Sequence, residues 1–472
     1  MGIFGAIASA ANGLRILPSG VQPALDGTPR PAEAAAAAVA ALPAAADPLP
    51  LPAADGAAAT PRRIDGPLRT QISDIAARQG AALLRNGVLQ EVGGLFAGGS
   101  DGQPDLGSAY GTFIKAWQAL AGNAGDPAGQ QAVINQGDVL AATVRTVAAG
   151  VEQLAARLGD DVASGLADLN QTLVAIHREN RIIVGQTALK QPADEAEARR
   201  DQLVAKVVAL TGANVFAREN NGVALFTATG QPLLDQGPVR FSSAASRQPA
   251  PAGAVPADGR ITDGSLGALL GLAADGSRQM PPQRVDGDPG REVVRKLRSQ
   301  LDLVAATVLG RSRANQPTAF ADAYDGASPA VPGQLISGFF AGSNRLTLAV
   351  NPDLLSGKKT LKTAAAAPAA ASLAAGGRQF TGDGVALTGS SYGTLAAAVA
   401  ASWTGAAQSA GRTAQVAEAA NALMAVHSRG SGSIDLQSEV GSLQVLQTAF
   451  GTTGQIGRAL GDLLGAFDQI AA

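Results

Sequence analysis

The feature that most constrains this 472-residue chain is an apolar seam between about Gln130 and Gln186. Val133, Leu140, Val144, Val147, Val151, Leu154, Leu158, Val162, Leu166, Leu169, Leu173 and Ile176 recur mostly at steps of three, four or seven. Residues so spaced share one face of an α-helix, so the seam predicts a single very long helix. Its stripe has to be covered by other helices in an antiparallel or coiled arrangement. Composition agrees. Hydrophobic residues make up 46% of the chain but aromatics only 4%, and much of the remainder is Ala and Gly, which bury little area per residue. Such a chain favours long, thin, closely packed helices over one thick core.

Around the seam, Leu68, Ile72, Ile75, Ala76, Leu83, Leu84 and Leu89 predict a helical block from about Arg63. Tyr110, Phe113, Ile114 and Trp117 mark one face of a helix over 107–121. Downstream, "RRDQLVAKVVALTGANVFA" (199–217) combines a charged start, a Leu203/Val204/Val207/Val208 stripe, and Gly212 where a helix C-cap belongs. Strands at 215–218 and 223–227 then flank Asn221-Gly222, a strong hairpin turn signal. A Pro/Ala/Ser loop follows at 242–260, a helix at 291–310, a strand at 345–350, Ala/Gly-rich loop ground at 363–390, and helices at 392–427 and 436–470. The fold class expected is mainly α with a small β part: elongated, with long antiparallel or coiled helices, terminal helices packing together, and a hairpin-containing core domain.

The chemistry is sparse. A net charge of −2 gives no long-range field for nucleic acid or anionic lipid. No cysteine is present, which removes disulfides, thiolate metal sites and cysteine nucleophiles. The two histidines, His177 and His427, are far apart, and "HREN" lacks a second ligand at i+4, so no metal or cofactor is expected. "GGSDG" (98–102) matches Gly-x-Ser-x-Gly but lacks the strand that a nucleophile elbow requires, and reads as a loop. Arg199, Arg200 and Asp201 read as a helix start: acidic residues at 194, 195 and 197 favour the positive end of the dipole. Arg200 is expected to pair with a neighbouring carboxylate at i−3 or with a partner helix, and exposed pairs of that kind contribute ~0–1 kcal/mol. No catalytic group is expected.

At the chain ends, Ile3, Phe4 and Ile7 lie near helical spacing. Leu436, Val440, Leu443 and Phe450, then Ile456, Leu460, Leu463, Phe467 and Ile470, form an apolar register over the last 37 residues. These twelve are the expected assembly interface. The domain boundaries expected are an N-terminal amphipathic helix (1–17), an Ala/Pro-rich divergent or disordered segment (18–62), a long-helix core (63–200), a helix-plus-hairpin region (201–260), mixed α/β with Ala/Gly-rich loops (261–390), and C-terminal assembly helices (391–472).

Over about 63–472 the chain resembles the flagellar hook-associated protein 1 family, the junction proteins between bacterial hook and filament. The resemblance lies in "ADLNQTLVAIHRENRIIVG" running into "RRDQLVAKVVALTGANVFARENNGVALFTATGQPLL", then "DGSLGALLGL", "GFFAGSNRLTLAVNPDLL" and "SIDLQSEVGSLQVLQTAFGTTGQIGRALGDLL", in that order. Arg200, Asp201, Gly212, Asp435, Glu439 and Gln447 are the family-motif positions. The N-terminal segment departs from the family, keeping Thr28-Pro29 of its Thr-Pro-Gly-Tyr. The resemblance implies a non-enzymatic adaptor with a reduced outer insert, forming a ring-like homo-oligomer. Its partners would be the hook protein, a second junction protein and a cytoplasmic chaperone on the C-terminal helix. Export would use the flagellar type III route to an extracellular site, without a cleaved signal peptide or membrane insertion. Another rod or hook axial protein is the alternative, and a secreted hydrolase on the same scaffold is the remaining one.

Overall fold

The computed structural model describes residues 66–98, 104–274, 292–312, 316–326 and 338–430. Helices α1 (Gly66–Phe96), α2 (Leu106–Gly122), α3 (Pro127–Ala188) and α4 (Asp194–Thr211) come first. A three-stranded antiparallel sheet follows, with β1 (Asn214–Ala217), β2 (Val223–Phe226) and β3 (Pro232–Leu234) in spatial order 1-2-3. Then come β4 (Phe241–Ser242), β5 (Val255–Pro256), α5 (Gly264–Ala273), α6 (Val293–Leu309), α7 (Phe320–Asp325), β6 (Phe340–Ala341), β7 (Ala349–Val350), α8 (Pro352–Leu355), α9 (Ala366–Ala374), β8 (Arg378–Gly382), β9 (Val385–Ser390) and α10 (Tyr392–Gly430).

Helix α3 is the axis, 62 residues long, or about 93 Å at 1.5 Å per residue. Asp126 starts it: its carboxylate accepts from Ala128 N–H at 3.1 Å and Gly129 N–H at 3.0 Å, while Pro127 needs no partner at the first position. All twelve residues of the predicted seam are buried, so the whole stripe is spent on the interior. By length and composition α3 could cross a membrane; here its apolar face is covered by α1, α2, α4, α5 and α6. Helix α1 runs antiparallel to α3, with Leu95 against Gly150 and an ion pair between Glu91 and Arg157. Helix α10 runs antiparallel to α1, as Gln90 Nε2 donates to the Ala407 carbonyl at 3.0 Å and Gly93 faces Ala407.

Three expectations need correcting. The strand expected over 345–350 shrinks to β7, because the Asn344 side chain accepts from Leu346 and Thr347 N–H groups and folds 343–347 into a turn. The expected loop at 242–260 contains the β4–β5 pair, which is parallel. The ground at 363–390 is not loop: "AAPAAASLA" forms α9, since alanine is the strongest helix former. Beyond α9, the β8–β9 hairpin turns at Asp383-Gly384, where Gly384 takes φ +77°.

Candidate assembly surface

Two ends of α3 carry the polar and aromatic detail of the molecule, and they are built differently. At the far end, α4 folds back along α3 and the β1–β2 hairpin leans on both. Glu179 of α3 accepts from Arg199 of α4 at 3.2 Å, and Arg199 also reaches Glu195 at 3.7 Å. Lys206 meets Asp168 lower down at 2.6 Å. Asn180 of α3 engages β2 twice, its amide donating to the Val223 carbonyl at 2.8 Å and its carbonyl accepting from Val223 N–H at 3.2 Å.

Arg200 differs from the exposed pair expected of it. It is buried, 8% exposed. Its Nη1 donates to the Asn221 carbonyl at 2.7 Å, while Nε and Nη2 hold Asp201 at 3.2 and 3.0 Å. The hairpin turn is therefore bolted to α4 by a desolvated guanidinium. A fork of fixed donors suits this role, because the charge is neutralised by Asp201 and a backbone acceptor is satisfied at the same time. The turn itself is a three-residue loop, Glu219-Asn220-Asn221, rather than a two-residue Asn221-Gly222 turn. Arg218 N–H donates to the Gly222 carbonyl, and Asn221 adopts φ +63°, the left-handed region that asparagine tolerates. Gly212 caps α4 at φ +61°, and a Cβ there would lie 2.7 Å from that of Asp263.

What this end leaves open is β1. Among the described residues it pairs only with β2, and all four of its residues are exposed. Val215 and Phe216 are 45% and 54% exposed, and the Phe216 ring meets Phe226 edge-on at 5.5 Å. Such an edge offers unpaired backbone groups together with apolar side chains.

The near end is closed. Phe113 and Trp117 of α2, Phe320 and Tyr324 of α7, and Phe339 and Phe340 pack ring against ring, with centroids 4.8–6.3 Å apart. Gly137 of α3 gives this nest room: a Cβ there would sit 2.7 Å from the Phe339 ring. Beside it Arg378, 3% exposed, donates to the carbonyls of Pro317, Thr318 and Ser372 at 2.8–2.9 Å and stacks over Tyr392 at 4.0 Å. Tyr110 shares a 2.5 Å hydrogen bond with Thr307, and burial raises its phenol far above the usual range. Glu152 ties α3 to α6 and to the β6–β7 turn, receiving Arg298 at 2.5 Å and Arg345 at 2.7 Å, while Arg345 also binds Asp302 at 2.6 Å. The Arg298 hydrogen bond, then that of Arg345, holds the Glu152 carboxyl below the usual range against the opposing effect of burial.

Of the expected site residues, Arg200 and Asp201 hold the hairpin turn, whereas Gly212 caps the other end of α4 beside Asp263. Ile3, Phe4, Ile7, Leu436, Val440, Leu443, Phe450, Ile456, Leu460, Leu463, Phe467 and Ile470 lie outside the described residues, as do Asp435, Glu439 and Gln447. So does most of "GGSDG". Among the described residues no group of three or more His, Asp and Glu converges as a metal site. The hollow at the α3–α4 corner, lined by Gln186, Pro192, Asp194, Glu195 and Arg199, is a wide, open depression.

Several of the polar groups described above join one element of the helix sheaf to another. Residues 89–316 match the family model described as the flagellar hook-associated protein FlgK helical domain. The match falls inside the 63–472 span over which the sequence motifs align. Among solved structures, the flagellar hook junction protein FlgK from Burkholderia pseudomallei is similar at 17% identity with a TM-score of 0.39, over 54% of this chain and 43% of that one. The chain thus spans less than half the length of that structure. No curated protein matches it.

Proposed function

We propose that this chain is a structural component of the bacterial flagellum, an adaptor at the hook–filament junction rather than an enzyme. The observation that carries the reading is the family match over 89–316, which covers α2 to α6 and the Arg200-bolted hairpin. A long buried helix stiffened by interhelix ion pairs suits a part that transmits load. The chain would assemble through its terminal segments, the apolar registers at Ile3, Phe4 and Ile7 and at Leu436–Ile470, into a ring-like homo-oligomer. The hook protein would lie below it and a second junction protein above. Export would proceed through the flagellar type III route, with a chaperone on the C-terminal segment. Deleting the gene tests this. Cells should lose motility, keep hooks, and shed monomeric filament protein into the medium. Normal filaments in the deletion strain would overturn the junction role.

A further inference from the structure

The hairpin turn carries a chemical weakness that its hydrogen bonds enclose. Asn221 is followed by Gly222, and glycine, having no Cβ, leaves its nitrogen open to the asparagine side chain. In such a pair the Gly222 nitrogen can attack the Asn221 Cγ. An N–Cγ bond forms, the Cγ–Nδ2 bond breaks, and ammonia leaves with the proton that the backbone nitrogen gives up. Water then opens the cyclic imide to aspartate or isoaspartate. Attack requires the nitrogen to lie against Cγ, so the Asn221–Gly222 peptide must first turn about the Asn221 Cα–C bond.

The groups around that peptide oppose the rotation. Its carbonyl, that of Asn221, accepts from Arg200 Nη1 at 2.7 Å. Its N–H, whose proton has to leave, donates to Asn220 Oδ1 at 3.1 Å. On either side, Asn221 N–H donates to the Arg218 carbonyl at 3.1 Å, and the Gly222 carbonyl accepts from Arg218 N–H at 2.8 Å. Val223, next in the chain, is held by Asn180 at both its N–H and its carbonyl. Asn221 itself is exposed, so these bonds protect it and burial does not. We propose that Asn221-Gly222 is a latent deamidation site, kept closed by the Arg200 fork and opened only when the turn lets go of α4. Its reaction rate then follows the fraction of time the turn is open. An isoaspartate would add a carbon to the main chain inside the turn and carry the carbonyl off Arg200, so each event leaves the hairpin permanently loosened. The site belongs to this corner alone and stands whether or not the chain works at a hook–filament junction.

Peptide mapping by mass spectrometry of the full-length chain, aged in mildly alkaline buffer, tests it. Asn86-Gly87, inside α1, is the internal reference. In the folded chain Asn221 should remain an amide under conditions where it converts in the guanidinium-unfolded chain. Arg200→Met should speed conversion at 221 by about tenfold or more, because losing the bond to the carbonyl raises the open fraction, and should leave Asn86 unchanged. Equal rates at 221 in the folded and unfolded chains would overturn the proposal, as would an Arg200→Met chain in which 221 converts no faster. If Asn86 also speeds up, the substitution has opened the whole fold and the milder Arg200→Lys decides. That variant should speed 221 and spare Asn86, and an unchanged rate at 221 would sink the proposal.

Discussion

The two ends of α3 use opposite strategies. Around Gly137 the helix is sealed by six aromatic rings gathered from three separate segments, with Arg378 closing the side. Around Asn180 it carries a small hairpin whose outer strand is bare. The first arrangement stores stability in burial; the second uses a few directed hydrogen bonds to hold an apolar edge in view. The contrast shows that this chain, poor in aromatics overall, concentrates them where rigidity is needed and spares almost none for the hairpin end.

The contrast can be broken experimentally, and the largest effect belongs to the nest. Trp117→Ala should destabilise the fold by about 3–5 kcal/mol in urea unfolding, because a fully buried ring meeting four others leaves a cavity that rigid neighbours cannot fill. Arg200→Met comes next, at about 1.5–3 kcal/mol, since it strands the Asn221 carbonyl and frees the turn. Its signature is local: hairpin amides should exchange faster while α2 is unaffected, and Arg200→Lys should not restore them, lacking the fork. Gly212→Ala should cost about 1–2 kcal/mol from its left-handed backbone and the approach to Asp263. Phe216→Ser should change global stability by less than about 0.5 kcal/mol; a cost like that of Trp117→Ala would erase the distinction between the ends.

Acid sharpens the comparison further. Glu152 is held below its usual pKa in the folded state, so its contribution is complete above the ordinary glutamate range and disappears as pH falls through the lower folded value. Glu152→Gln should therefore flatten the acid side of a stability–pH curve. Asp105, lowered first by the Ser108 hydroxyl and then by the Ser108 N–H at the start of α2, acts in the same direction.

How much of this was legible in the sequence follows from the range of the interactions. The α3 seam could be read because its period is local, and every one of its twelve positions is buried. The face of Tyr110, Phe113 and Trp117 was legible for the same reason. Their partners Phe320, Phe339 and Phe340 were not, because short segments without periodicity give no sign of what they pack against. Arg200 stood out as a charge, yet its burial depends on a hairpin twenty residues on, so local reasoning placed it in solvent. Arg378 gave no signal at all within Ala/Gly-rich surroundings. The β8–β9 hairpin was missed because its two strands are short and lie in Ala/Gly-rich surroundings without a clear alternation, and the Asn344 turn because one side chain overrode a strand-like run.

The central claim, that this chain is a structural part seated between hook and filament, is tested most directly by locating it. Immunogold labelling of isolated hook–filament complexes with an antibody raised against residues 104–274 should give a single cluster at the distal end of each hook. Label spread along the filament, or absent from hook ends in a strain that expresses the chain, would contradict the account.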